Sequence, residues 1–157
     1  MSNPAPLPFT ATLHVRDTCL CLHTQRAARI LARRFDDALR PLGLTNSQFS
    51  LLVSLNRPEP PGLSAVASIL GADRTTVTAA IKPLQRRGIV EIQPDPNDRR
   101  GRWLILTPQG LALITAAYPI WEQTHQTIEA ELTQSRPDQL RADLRAISAL
   151  SDQAAAA

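Results

Sequence analysis

The sequence predicts a mainly α-helical chain that carries one small β-hairpin. Three observations predict it. Apolar residues recur three or four apart over several stretches, which is the period of a helix. Only the segments flanking a polar turn at 94–101 alternate in the manner of strands. Breaks rich in proline or glycine separate the segments. At 157 residues, 43% hydrophobic and 20% charged, the chain suits one domain or a small domain with oligomerisation arms.

Residues 1–14 read as an N-terminal arm, loose through its first ten positions. The block 15–44 holds a first helix, helical from Val15 to Arg40, with Leu20, Ala27, Leu31, Phe35 and Ala38 on its apolar side. Pro41 and Gly43 stop it. Thr45 can cap the next helix, with Gln48 at the capping-box position and Phe49, Leu52, Val53 and Leu55 as the buried face. "RPEPPG" at 57–62 is a break. Ser64 then reads as a cap ahead of Val66, Ala67, Ile69 and Leu70, ending at Gly71. Asp73 caps "RTTVTAAIKPLQRRG", whose Val77, Ala80, Ile81 and Leu84 can face a core.

After Gly88 the texture changes. "IVEIQ" and "RWLILT" flank the polar turn and form the hairpin, which completes a block at 45–107. Thr107 and Pro108 open a long helix with cap and first-turn proline in favoured places. Its apolar register is Leu111, Ile114, Tyr118, Trp121, Ile128 and Leu132, and Pro119 should kink it. Arg136 and Pro137 start a last helix with Leu140, Leu144, Ile147 and Leu150 on one side. These helices make a block at 108–153, and an alanine tail at 154–157 is expected to fray.

Net charge is +3, unevenly spread. From Leu63 to Arg102 there are seven basic residues (Arg74, Lys82, Arg86, Arg87, Arg99, Arg100, Arg102) against four acids. From Trp103 to the end there are three basic and six acidic residues, and no acid lies between Arg74 and Val90. A basic middle and an acidic last third point to a polyanion partner. A solvated amphipathic helix could carry the same charges. The acid-free helix, the hairpin directly after it and the arginine-rich tip agree on something more specific.

Two short helices with a tight turn, then a hairpin, give the order of a winged helix-turn-helix. In such modules the second helix enters the major groove and the hairpin reaches the adjacent minor groove. Arg74, Thr75, Thr76 and Thr78 in the first turns suit phosphates and base edges. Lys82, Arg86 and Arg87 suit the backbone, and Arg99, Arg100 and Arg102 suit a narrow, electronegative minor groove. Double-stranded DNA is the expected partner.

The stretch "LSAVASILGADRTTVTAAIKPLQRRGIVEIQPDPNDRRGRWLILTPQG" resembles the DNA-binding core of the MarR family of bacterial repressors. The helix pair, the "RRG" exit, the turn with Asp98, Arg99 and Arg100, and the "LTPQG" entry carry the likeness. "LGLTNSQFSLL" extends it, so residues 15–150 are covered. The resemblance implies that Arg100 enters the minor groove and that Asp98 orients it. It implies a homodimer built from the first helix and the last two, and terminal apolar stripes too long for a winged domain to cover support this. It also implies a repressor on a pseudo-palindromic promoter site, released by an effector such as a small aromatic or phenolic molecule. The candidate DNA contacts are Ser64, Arg74, Thr75, Thr76, Thr78, Lys82, Arg86, Asp98, Arg99, Arg100 and Arg102. Pro83 departs from the family pattern and should bend its helix.

Cys19 and Cys21 in the first helix, with His23 near, are candidate redox or ligand-sensing residues. Two apart, they cannot bridge each other within a regular helix. The alternative, a structural role as small buried residues, is the one expected. Peroxide-sensing relatives carry tyrosines in the second helix where this chain has Phe49. Cys19 with His23 is too small a set for a metal, so neither metal nor cofactor is expected. No HExxH, glycine-rich phosphate loop or nucleophile elbow is present, so no catalytic residue is assigned and no enzyme is expected. A winged module that binds protein is the competing class. No apolar run of 18 residues would span a membrane. Met1 to Phe9 lacks the pattern of a signal peptide, so a cytoplasmic, nucleoid-associated chain is expected.

Overall fold

The computed structural model of the protein describes residues 6–154 except 97, 99, 100 and 135. Among these residues the elements are α1 (Phe9–Thr18), α2 (Leu20–Leu39), a 3-10 turn (Arg40–Leu42), α3 (Asn46–Leu55), α4 (Leu63–Leu70), α5 (Arg74–Arg86), β1 (Val90–Pro94), β2 (Arg102–Leu106), α6 (Pro108–Glu131) and α7 (Pro137–Ala154). The expected mainly helical fold with one hairpin is what the chain adopts.

The expected first helix is two helices. α1 begins at Phe9, inside the segment read as an arm, and ends at Thr18, whose hydroxyl donates back to the His14 carbonyl (2.7 Å). Cys19 then leaves helical geometry (φ −72°, ψ 106°), and its Sγ accepts the Leu22 N–H (3.4 Å) to cap α2. The apolar spacing runs on through this break, so periodicity alone conceals it. Nor are the cysteines buried, as had been expected: Cys19 is half-buried and Cys21 exposed. Among the described residues nothing fully buries any residue of α1.

Local capping chemistry sets the other starts. Thr45 and Gln48 complete the capping box of α3, and Thr107 Oγ1 accepts the Gly110 N–H (3.0 Å) with Pro108 in the first turn of α6. Ser64 is not the cap of α4; extended Gly62 is. The Leu104 N–H donates to the Pro61 carbonyl (3.0 Å) and Gly62 bridges Trp103, so this backbone is held as an added edge of the hairpin and the helix begins one residue before Ser64. Gly71 and Gly88 end α4 and α5 with φ of 60° and 69°, where a side chain would be strained.

β1 and β2 pair antiparallel from Val90 opposite Leu106 to Pro94 opposite Arg102. The core gathers Leu39, Leu44, Phe49, Leu52, Val66, Val77, Ile81, Leu84, Ile89, Leu104, Ile114 and Ala117. Leu51 joins it in place of Val53, which is exposed, as is Ile69. On α6 the inward residues are Ile114, Ala117 and Ile128, while Leu111 and Tyr118 face out. Pro83 and Pro119 sit within α5 and α6, which continue past them to Arg86 and Glu131. Gly110 marks the closest approach of α6 to the hairpin: a Cβ there would lie 2.2 Å from the Ile89 carbonyl oxygen.

Charged pairs tie the arm together. Arg34 on α2 binds Glu131 at the end of α6, and Arg141 on α7 binds Glu129 and Asp138. Asp37 near the end of α2 pairs with Arg40 in the 3-10 turn. Trp121 stacks between Phe49 (6.3 Å between centroids) and His125 (5.0 Å). Leu140, Leu144, Ile147 and Leu150 line α7 with 41–63% of their surface exposed. No helix among the described residues is long and apolar enough to cross a membrane.

Candidate nucleic-acid interface

The basic surface is built on α5. Asp73 caps it: the carboxylate accepts the Thr76 N–H (2.7 Å) and the Thr76 hydroxyl (3.0 Å), and these bonds, the backbone one foremost, hold its pKa below the usual carboxylate value. Val77, Ile81 and Leu84 are buried, so the opposite side of the helix faces water. That side carries Thr75, Ala79, Lys82 and Arg86, four exposed residues at three- and four-residue spacing. Arg74 and Thr78 flank the stripe and are exposed too.

The threonines are not equivalent. The Thr76 hydroxyl donates to Asp73 and the Thr78 hydroxyl to the Arg74 carbonyl (2.7 Å), so both protons are committed within the helix. A phosphate oxygen only accepts, which leaves Thr75 as the hydroxyl of the first turns suited to donate to one. Arg87, read from the sequence beside Lys82 and Arg86 as a backbone contact, is tied into the fold: its Nη1 donates to the Gly43 carbonyl (2.8 Å).

Backbone bonds close the base of the hairpin turn. The Asp95 N–H donates to the Gly101 carbonyl (3.2 Å) and the Gly101 N–H to the Asp98 carbonyl (2.9 Å). A Cβ at Gly101 would meet the Asp95 Cβ at 2.8 Å, so only glycine lets the two acids close over the turn. A groove runs between this tip and the starts of α4 and α5, and it brings together Ser64, Arg74, Asp98 and Arg102. Arg99 and Arg100 lie outside the described residues. Ala79 was missed by sequence reasoning because an alanine carries no chemical flag. Only the placement of the buried face shows that it lies in the middle of the exposed stripe.

The sensing candidates are not gathered into a site. Cys21 Sγ accepts from the Gln25 side chain (3.2 Å), and His23 Nε2 lies 3.3 Å from the Asp17 carbonyl oxygen. Because Cys19 is at a break, the two thiols do not share the regular helix assumed from the sequence. Among the described residues no group of three or more metal-ligating side chains occurs. A cavity of about 390 Å³ between α3 and α6 is lined by Phe49, Val53, Asn56, Leu111, Ile114, Thr115 and Tyr118. The Tyr118 hydroxyl donates to Glu122 (3.1 Å), which pushes the phenol pKa up.

Known proteins share this arrangement. A family model described as MarR family matches residues 44–101. The multiple antibiotic resistance protein MarR of Salmonella typhimurium is 32% identical over 111 residues, covering 71% of this chain and 72% of that protein. The transcriptional repressor MprA of Escherichia coli is 28% identical over 138 residues, 87% of this chain and 77% of its own length. Among solved structures, the M. tuberculosis transcriptional regulator MosR in complex with DNA superposes with a TM-score of 0.78 at 32% identity, covering 87% of this chain and 98% of that one. On its fold, its helix-and-hairpin surface and these relatives, the chain belongs to the MarR family.

Proposed function

We propose that the protein is a sequence-specific, DNA-binding transcriptional repressor that acts as a homodimer in the cytoplasm, on pseudo-palindromic promoter sites. The observation that carries this reading is the outward stripe Thr75, Ala79, Lys82 and Arg86 on a capped, acid-free helix beside a groove holding Ser64, Arg74, Asp98 and Arg102. Thr75 and Arg74 sit where the start of a major-groove helix meets phosphates and base edges, and Ala79 suits an apolar contact such as a thymine methyl. Lys82 and Arg86 neutralise phosphates farther along. Arg99 and Arg100 extend the tip into the minor groove, with Asp98 orienting Arg100.

One winged module buries only about 600–1,000 Å² on DNA, so tight specific binding needs two held at fixed spacing. The exposed leucines and isoleucine of α7, with Phe9 and Val15 of α1, give a second copy an apolar face to cover. The cavity between α3 and α6 suits a small aromatic or phenolic effector whose binding shifts the arm against the winged domain. Relatives named as repressors and the solved MosR complex with DNA support the reading.

Selection of duplexes from a random pool, followed by footprinting, tests it. Two protected half-sites about 34–36 Å apart are expected. Recovery of no preferred sequence would sink the proposal.

A further inference from the structure

The far end of α5 is bonded to both roots of the arm. Arg87, which closes α5, donates from Nη1 to the Gly43 carbonyl (2.8 Å) in the turn between α2 and α3. Gly43 holds a φ of 64°, and its notional Cβ would lie 3.5 Å from Arg87 Nη2, so the guanidinium is seated against the turn. From the other side the Thr107 hydroxyl donates to the Gly88 carbonyl (2.7 Å) and the Thr107 N–H to the Ile89 carbonyl (3.1 Å). α6 starts at the next residue. Residues 87–89 are therefore the point where the exit of α5 meets the end of α2 and the beginning of α6.

Arg86 and Arg87 look interchangeable in the sequence. Successive helical residues point about 100° apart, so when Arg86 lies on the outward stripe Arg87 is turned away from it. Although exposed, a guanidinium bonded to a carbonyl 44 residues away is held against the fold's own surface, and moving it to a phosphate would leave the Gly43 carbonyl without that donor.

We infer that Arg87 is a positioning residue for operator recognition: its bond to Gly43 fixes α5 against the arm, and so fixes the half-site spacing that the dimer accepts. This rests on the operator-binding reading above. A loose strut lets each α5 swing, which costs little on any single half-site but blurs the distance between two. Arg86, by contrast, adds only charge.

The test uses the full chain and a duplex selected by it, rebuilt with one base pair added or removed between half-sites. That moves them by about 3.4 Å and roughly a tenth of a turn. Affinity is measured for both duplexes across a salt series. For Arg87→Ala the discrimination against the mis-spaced duplex should fall roughly tenfold, with the salt slope as in the wild type. Arg87→Lys keeps a donor and should restore part of the discrimination. Arg86→Ala should lower the slope by about 0.9 and leave the spacing preference intact. An Arg87→Ala protein whose slope drops by that amount while its spacing preference stays would make Arg87 a phosphate contact and overturn the inference. A protein changed in neither respect would overturn it too. Should circular dichroism show Arg87→Ala unfolded, Arg87→Lys carries the same comparison. A wild-type chain that selects no duplex would remove the operator reading itself, and the strut with it.

Discussion

Arg34 of α2 clasps Glu131 at the end of α6 through two parallel hydrogen bonds, one of 2.7 Å between Nη2 and Oε1, although they stand 97 residues apart. The guanidinium holds the Glu131 carboxyl below its usual range, and the carboxylate raises Arg34 in turn. A carboxylate whose folded pKa is depressed contributes stability above its unfolded value of about 4.3, and loses it as pH falls through the lower folded value. Arg34→Gln should therefore lower the thermal midpoint at pH 7 by a small amount that shrinks in salt, because both side chains are partly exposed. Melts recorded from pH 7 down to about 3 should show the two proteins converging at the acid end. A gap that persists there would mean the bond holds no depressed carboxylate.

Gly110 is where α6 meets the hairpin. With a notional Cβ 2.2 Å from the Ile89 carbonyl oxygen, Gly110→Ala must push the helix off the strand. Denaturant unfolding should show a loss of roughly 1–3 kcal/mol, the usual cost of overpacking. Unchanged stability would place that contact wrongly.

Helix and tip should fail differently on DNA. Lys82→Ala should weaken all sequences about equally and lower the salt slope by roughly one counterion's worth. Arg100→Ala should weaken binding most where A·T-rich flanks narrow the minor groove. Titrations on paired duplexes with A·T-rich or G·C-rich flanks separate the two. An Arg100→Ala loss that ignores the flanks would exclude a minor-groove role.

The apolar stripe of α7 should hold the dimer. Leu144→Asp puts a charge where a second copy must pack, and an unpaired buried carboxylate is costly. Sedimentation at micromolar concentration should show monomer, with specific DNA binding lost. A dimer that survives this change would shift the interface off α7.

These expectations divide according to what a sequence carries locally. The caps at Thr45, Asp73 and Thr107 were legible because each cap is a side chain bonding its own next turn. The order of helices and hairpin was legible for the same reason, since periods and breaks are short-range. The break at Cys19 was hidden because apolar spacing continues through it, and the cap at Gly62 because a strand 41 residues away fixes that backbone. Val53, Leu111 and Tyr118 read as core but line an open cavity, since burial depends on which neighbour arrives. In the candidate site the charges were legible. Their roles were not: Arg87 and Arg86 differ only in what the fold sets beside them.

The most direct test of the central claim is the stoichiometry and footprint of the wild-type chain on a selected duplex. Sedimentation of the complex combined with hydroxyl-radical footprinting should give two chains per duplex and two protected patches about one helical turn apart. A single chain protecting one patch, or binding that does not distinguish the selected duplex from random DNA at the same salt, would contradict it.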